Sequence, residues 1–397
     1  MSAVRSVLLL CWRDTRHPQG GGSETYLQRI GAELAAADVA VTLRTARYPG
    51  AARHEVIDGV RISRRGGPYT VYLWALAVMA AARLGLGPLR GVRPDAVIDT
   101  QNGLPFLARL VYGRRVAMLV HHCHREQWPI AGPVLSRIGW LVESRLSPWL
   151  NRRNQYLTVS LPSARDLIEL GVAAERIAVV RNGIDEAPSA TLGYPRSPTP
   201  RVVVLSRLVP HKQIEDALDA VAVLRDRIPG LGLDIIGGGW WHDRLVEHAG
   251  QLGITDAVRF HGHVSEVAKH ELVQQAWVHV LPSRKEGWGL AVIEAAQHGV
   301  PTIGYRSSGG LSDSIVDGVT GVLADDPDDL VEQLHRLLTT DVLREELGAK
   351  ALARSAEFSW QQSAQAVRTV LESVHKHRYV SGVIGGQGPL PNRRGDG

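Results

Sequence analysis

Apolar positions along the chain follow two alternating patterns. Runs of consecutive apolar residues at 7–10, 39–43, 60–62, 96–98, 116–120 and 156–159 have the length of buried strands, and apolar residues at helical spacing lie between several of them. The clearest helix is 24–36, where Tyr26, Leu27, Ile30 and Leu34 share one face. A second series opens with a strand at 202–205 and a helix at 212–227. It continues through strands at 233–236, 258–260, 278–281 and 302–304 and one near Val322. Strand–helix–strand alternation predicts a mostly parallel sheet covered on both faces. The chain therefore reads as two α/β domains in tandem.

Pro188, Pro195, Pro198 and Pro200 crowd the segment between the two series. Proline lacks the backbone N–H and interrupts regular structure, so 187–200 is expected to be a linker between a first domain, 1–186, and a second, 201–357. Helices are predicted at 328–338 and 361–374. The Gly-, Pro- and Arg-rich stretch 381–397 reads as a disordered tail.

Composition narrows the class. A length of 397 residues exceeds what one core usually supports, and 44% hydrophobic with 21% charged residues describes a globular protein. Two cysteines cannot make a disulfide framework, which fits a reducing compartment. The apolar run 7–10 is too short for a signal-peptide core, and the longest, 71–82, falls short of the roughly 20 residues that span a bilayer. A cytoplasmic location follows, with peripheral docking on the inner face of the cell membrane as its variant. The net charge of +5 comes almost wholly from arginine; the first lysine is Lys212. This charge is compatible with anionic lipid or a phosphorylated substrate. Without aromatic residues interleaved in a basic track, no nucleic-acid partner is expected.

The densest chemistry lies between Pro282 and Ala296. Glu286 and Glu294 stand eight residues apart, the first in the turn after a strand and the second within the helix that opens near Trp288. Ligands of open α/β sheets bind beyond the carboxyl ends of the strands, where helix N-termini favour anions. Gly287 and Gly289 leave room for close backbone approach. Two separated carboxylates suit a polyol, whose hydroxyls need acceptors at separate points. Arg207 and Lys212 lie between the first strand and first helix of the second domain, a donor fork and a point charge suited to a diphosphate. Each of these residues alone is as readily a solvated charge; the conjunction is what carries weight.

The set Arg207, Lys212, Glu286, seven residues, Glu294 resembles the signature of the retaining glycosyltransferase family 4, of GT-B fold, and the similarity extends over residues 5–375. The resemblance implies two Rossmann-like domains facing each other across an interdomain cleft. The second would bind a nucleotide-diphosphate sugar, with no further cofactor and no metal. It assigns Arg207 and Lys212 to the diphosphate, Glu286 to sugar hydroxyls and Glu294 to the nucleotide ribose. Backbone at Gly289 and Leu290 would approach the phosphates, and the turn with His263 and Val264 would pack beside the base. In the first domain, Gly20, Gly21 and Gly22 resemble the family's glycine loop, and His121 the histidine near the transferred sugar, with His122 as the alternative. Histidines 121, 122 and 124 lack a partner at metal-ligand spacing. Gly309, Gly310 and Leu311 resemble a donor-side loop in which Asp313 stands where the family commonly has Glu. Trp288 replaces the usual Phe and enlarges an aromatic surface. Phe358, Ser359 and Trp360 resemble the start of the C-terminal crossing, 358–380, back to the first domain.

The resemblance implies a retaining hexosyltransferase, with GDP-mannose or a UDP-hexose as donor and a lipid-linked, glycan or small-molecule hydroxyl as acceptor. The alternatives are a noncatalytic nucleotide-sugar-binding protein of the same fold and an enzyme glycosylating a soluble sugar phosphate. Apolar and basic residues intermix from Arg137 to Arg153, including Trp140, Leu141, Leu146 and Trp149. That segment fits either docking on an anionic membrane or ordinary packing on the sheet.

Overall fold

The computed structural model describes residues 4–385, apart from 19, 126, 127, 129–131 and 192. One compact unit comprises the described residues up to Gly183 together with those from Ser359 onward; the other is Ile184–Phe358.

The first unit is built on β1 (Ser6–Leu10), β2 (Ala40–Thr45), β3 (His54–Ile57), β4 (Val60–Arg64), β5 (Ala96–Thr100), β6 (Val116–Leu119), β7 (Gln155–Thr158) and β8 (Ile177–Val179). With the short strand Gly382–Val383 they form a nine-stranded sheet ordered Gly382–Val383, β8, β7, β6, β5, β1, β2, β4, β3. Every pairing is parallel except β3 with β4. Leu8, Leu10, Val97, Val116 and Met118 bury one face against the helix Val71–Arg83. The helix Trp360–His375 packs on Gly22–Ala36. Gly183 has no room for a Cβ against the Ser359–Trp360 backbone, which fixes where that last helix enters.

The second unit contains β9 (Arg201–Leu205), β10 (Gly232–Ile236), β11 (Val258–Gly262), β12 (Val278–Leu281), β13 (Thr302–Tyr305) and β14 (Gly321–Ala324). All are parallel, in the order β11, β10, β9, β12, β13, β14. Val202 and Val204 of β9 enter one core and Val203 the other, so the strand is apolar throughout because both its faces are covered.

Three expectations change. The proline-rich stretch read as a linker is fixed to the second unit. The Arg196 guanidinium donates to the carbonyls of Gln274 (2.7 Å), Ala276 (2.8 Å), Gly299 (3.0 Å) and His298, and the Trp277 indole donates to the Ser197 carbonyl (2.8 Å). Prolines remove regular structure there, but one arginine fork supplies the anchoring. A helix at Asp341–Ser355, absent from the sequence reading, follows Pro327–Thr339. Pairing of Gly382–Val383 with β8 carries ordered structure into the stretch read as a tail; residues 386–397 lie outside the described residues.

Candidate functional site

Strand order in the second unit reverses once. The chain runs from β9 outward to β10 and β11, then returns to place β12 on the other side of β9. The loops leaving β9 and β12 therefore diverge, and the crevice between them is where an open α/β sheet takes its ligand. Arg207 and Lys212 lie after β9; Glu286 lies after β12.

Backbone hydrogen bonds lock these loops together. Arg284 N–H donates to the His211 carbonyl (2.9 Å), Glu286 N–H to the Ser308 carbonyl (2.9 Å), and Gly310 N–H to the Glu286 carbonyl (3.0 Å). The Lys212 ammonium consequently donates to Glu286 Oε1, with both side chains 13% exposed. Burial pushes the Glu286 carboxyl up, but the adjacent Lys212 charge and hydrogen bond outweigh it and hold the carboxyl below its ordinary range. Glu286 is therefore an ionised acceptor, suited to hydroxyl groups. Arg207 is exposed in the same segment and makes no ion pair among the described residues.

Glu294 does not join this pair. It sits in the helix Leu290–Ala296, where Lys269 donates to its Oε1 (2.7 Å). Gly289 precedes that helix at φ +93°, and a Cβ there would lie 2.7 Å from Leu311 Cδ2, so the turn requires glycine. The helix starts at Leu290, two residues after Trp288. Trp288 is buried and meets Phe358 edge-on, with ring centroids 4.9 Å apart. The expectation of an aromatic surface is thus corrected: the larger ring fills core behind the site. Asp313 is likewise buried, in the short helix Leu311–Ser314.

His263 is exposed and Val264 half-buried in the turn after β11. The imidazole of His263 lies over Gly238, where a Cβ would come within 2.6 Å of Nε2. Gly238 belongs to a run, Gly237, Gly238 and Gly239, that follows β10 and was not singled out in the sequence. Leu208 N–H donates to the Gly238 carbonyl (3.0 Å), and Trp241 N–H to the Leu208 carbonyl (3.1 Å), so this run sets the path of the Arg207 segment. Three consecutive glycines directly after a strand were the signal available for it. Lys269 was also missed; the scarcity of lysine was its only mark.

In the first unit the strand order reverses between β1 and β5. Gly21 caps the helix Gly22–Ala36, and the Glu24 carboxylate accepts from Gly21 N–H (2.9 Å), Ser23 Oγ (2.9 Å) and Trp12 Nε1 (3.1 Å). The glycine loop is thereby closed by its own helix. His121 follows β6, buried, with its ring edge-on to Tyr26 at 5.3 Å. Burial, with His124 nearby, lowers its pKa to about 3, so the imidazole is neutral. Its Nε2 is buried without a hydrogen-bond partner among the described residues. The runner-up His122 stacks on His124 at 4.5 Å, and Glu143 fixes His124 through Nδ1 (3.0 Å). Among the described residues no group of three or more His, Cys, Asp or Glu side chains is placed to hold a metal ion.

Comparison with known proteins gives the family and the fold. Residues 195–354 match the family model described as glycosyl transferases group 1, and residues 20–188 that of glycosyltransferase family 4. The glycogen synthase of Mycobacterium tuberculosis is 32% identical over 384 residues, covering 88% of this chain and 90% of that protein. A GDP-mannose-dependent alpha-(1-6)-phosphatidylinositol monomannoside mannosyltransferase of Mycolicibacterium smegmatis is 28% identical, covering 78% and 83%. The solved sucrose-phosphate synthase of Thermosynechococcus elongatus superposes with a TM-score of 0.78 at 19% identity, covering 94% and 99%, which shows a shared two-domain GT-B architecture.

Proposed function

The chain belongs to the group 1, family 4 glycosyltransferases and transfers sugar from nucleotide-diphosphate donors, and from that premise we propose how its residues divide the work. The observation that carries the proposal is the Lys212–Glu286 pair at the point where the strand order of the second unit reverses. Lys212 and the exposed Arg207 neutralise the donor diphosphate and the charge that grows on its oxygen as the bond to the sugar breaks. Glu286, held ionised, accepts from hydroxyls of the hexose. Glu294 accepts from the ribose, and the turn at His263 and Val264 lies beside the base.

Transfer proceeds with retention of anomeric configuration. A retaining hydrolase would use a carboxylate as covalent nucleophile. Here the ionised Glu286 is engaged by Lys212 and is better employed as a hydroxyl acceptor, so the acceptor attacks from the face that the phosphate leaves, and the phosphate takes its proton. His121, neutral at physiological pH, has a buried Nε2 without a hydrogen-bond partner among the described residues, suited to a sugar hydroxyl.

The acceptor is a hydroxyl carried by a lipid at an anionic membrane. The helical stretch 133–150 exposes Val134, Leu135, Ile138, Leu141, Leu146 and Trp149, with Arg137, Arg145, Arg152 and Arg153 also exposed along and just beyond it. Apolar residues bordered by arginines suit the boundary between headgroups and acyl chains. No helix among the described residues is long and apolar enough to cross a membrane. The mycobacterial mannosyltransferase resembles this chain and acts on a phosphatidylinositol monomannoside, which supports the same acceptor class.

The test incubates the protein with UDP-, GDP- and ADP-hexoses and a total lipid extract, followed by mass and anomer analysis of the products. One donor is expected to yield a glycolipid with the donor's anomeric configuration. An inverted product, or transfer only onto soluble sugars, overturns the proposal.

A further inference from the structure

We infer that Lys269 is a positioning residue, presetting the Glu294 carboxylate to receive the ribose of a nucleoside diphosphate. The inference rests on the assignment of Glu294 to the ribose.

Lys269 lies one turn into the helix Glu266–Gln275, which begins directly after the turn holding His263 and Val264 and is capped by Ser265 Oγ accepting from Ala268 N–H (3.2 Å). From there its side chain crosses to the next helix. It donates to Glu294 Oε1 (2.7 Å) and to Glu266 Oε2 (2.6 Å). The lysine is 14% exposed and Glu294 23%, whereas Glu266 is a solvated outer partner at 74%. Burial alone would lower the Lys269 pKa, but the two carboxylates raise it, so the ammonium stays charged.

Glu294 thus has one oxygen engaged by a fixed cation. The other has no partner among the described residues. A carboxylate free to rotate would lose orientational freedom when it bound a ribose hydroxyl; this one is already oriented. Holding the two helices together does not require the lysine. His270 and Gln274 already tie the first helix to the turn that follows the second, through a buried His270 Nδ1···His298 Nε2 contact of 2.7 Å and a Gln274–His298 Nδ1 contact of 2.6 Å. What Lys269 adds is direction and charge at one acceptor, and a rigid connection from that acceptor to the turn beside the base.

Lys269→Met, Lys269→Arg and Glu294→Gln variants of the full chain separate the possibilities. Each is titrated calorimetrically with UDP, GDP and ADP and with the 2′,3′-dideoxy analogue of whichever binds the wild type. A hydrogen bond to a charged group implies that the wild type prefers the ribonucleotide by about tenfold. Lys269→Met is expected to reduce that preference to about twofold and raise the donor KM while leaving kcat within about threefold; Lys269→Arg is expected to restore most of the preference. Full ribose preference in Lys269→Met overturns the inference. Unchanged preference in Glu294→Gln overturns the ribose assignment itself, and Lys269's role with it. Thermal melting of each variant controls for folding: loss of preference in Lys269→Met with a melting temperature within about 2 °C of wild type supports positioning, whereas loss that appears only with a large drop in melting temperature, and that Lys269→Arg does not restore, contradicts it.

Discussion

Lys212 and Glu286, 74 residues apart in the chain, are hydrogen-bonded to each other where the β9 and β12 loops diverge. The two had been assigned to different parts of the donor, one to the diphosphate and one to the sugar. Their contact is what the proposed division of labour requires, since the two parts are the ends of one sugar–phosphate bond.

Because the two side chains share one hydrogen bond in a partly buried setting, their loss is not additive. Lys212→Met and Glu286→Gln are each expected to lower kcat/KM by about a hundredfold. The double variant is expected to fall well short of the product of the two losses. Steady-state kinetics of the three variants checks this; strict additivity would mean that the residues act independently.

Gly239 has no space for a side chain, since a Cβ would run into the Leu208 carbonyl. Gly239→Ala must shift the segment that carries Arg207. A stability loss of about 1–3 kcal/mol is expected, with a raised donor KM, measured by denaturant unfolding and donor titration. An unperturbed donor KM would show that the glycine run does not set the Arg207 segment.

Buried neutral histidines give the stability a defined acid limb. Burial lowers His279 to about 3, despite the opposing charge of Glu286, and His298 to about 4, the latter also through His270, Arg196 and Lys269. Each lies below the unfolded value near 6.5, so below that pH the unfolded chain binds protons that the folded chain does not. Their full contribution is present above about pH 6.5 and is lost as pH falls through the folded values. Urea midpoints between pH 7.5 and 4.5 are expected to drop, and less steeply in His279→Gln. An equal slope in that variant would mean that His279 is not held neutral.

The exposed face of 133–150 is tested by sedimentation with vesicles. Binding to phosphatidylglycerol vesicles is expected to weaken with salt and to fall at least tenfold in Leu135→Ser/Ile138→Ser, with little binding to phosphatidylcholine. Equal binding to neutral vesicles would remove the role given to the arginines.

Much of this was legible in the sequence. The strands of both sheets stood out because parallel strands buried on both faces are continuous apolar runs, as in β9 with Val202, Val203 and Val204. Short or poorly covered strands were not: the edge strand β3 buries none of its four residues, and β8 has only three residues. The helix Asp341–Ser355 buries only Leu347, Gly348, Ala351 and Ser355, too few large side chains to show a period. Glu286 and Glu294 could be found by spacing, but nothing in spacing shows that each has its own lysine. Trp288 looked like surface because its neighbours in sequence are polar and glycine, whereas tertiary packing against Phe358 buries it.

The central claim, that the loops after β9 and β12 hold the donor, is tested most directly by calorimetric titration of the productive nucleotide sugar into wild type and Lys212→Met. One site per chain is expected in the wild type, with at least a tenfold weaker Kd in the variant. Equal affinity in the two proteins would contradict it.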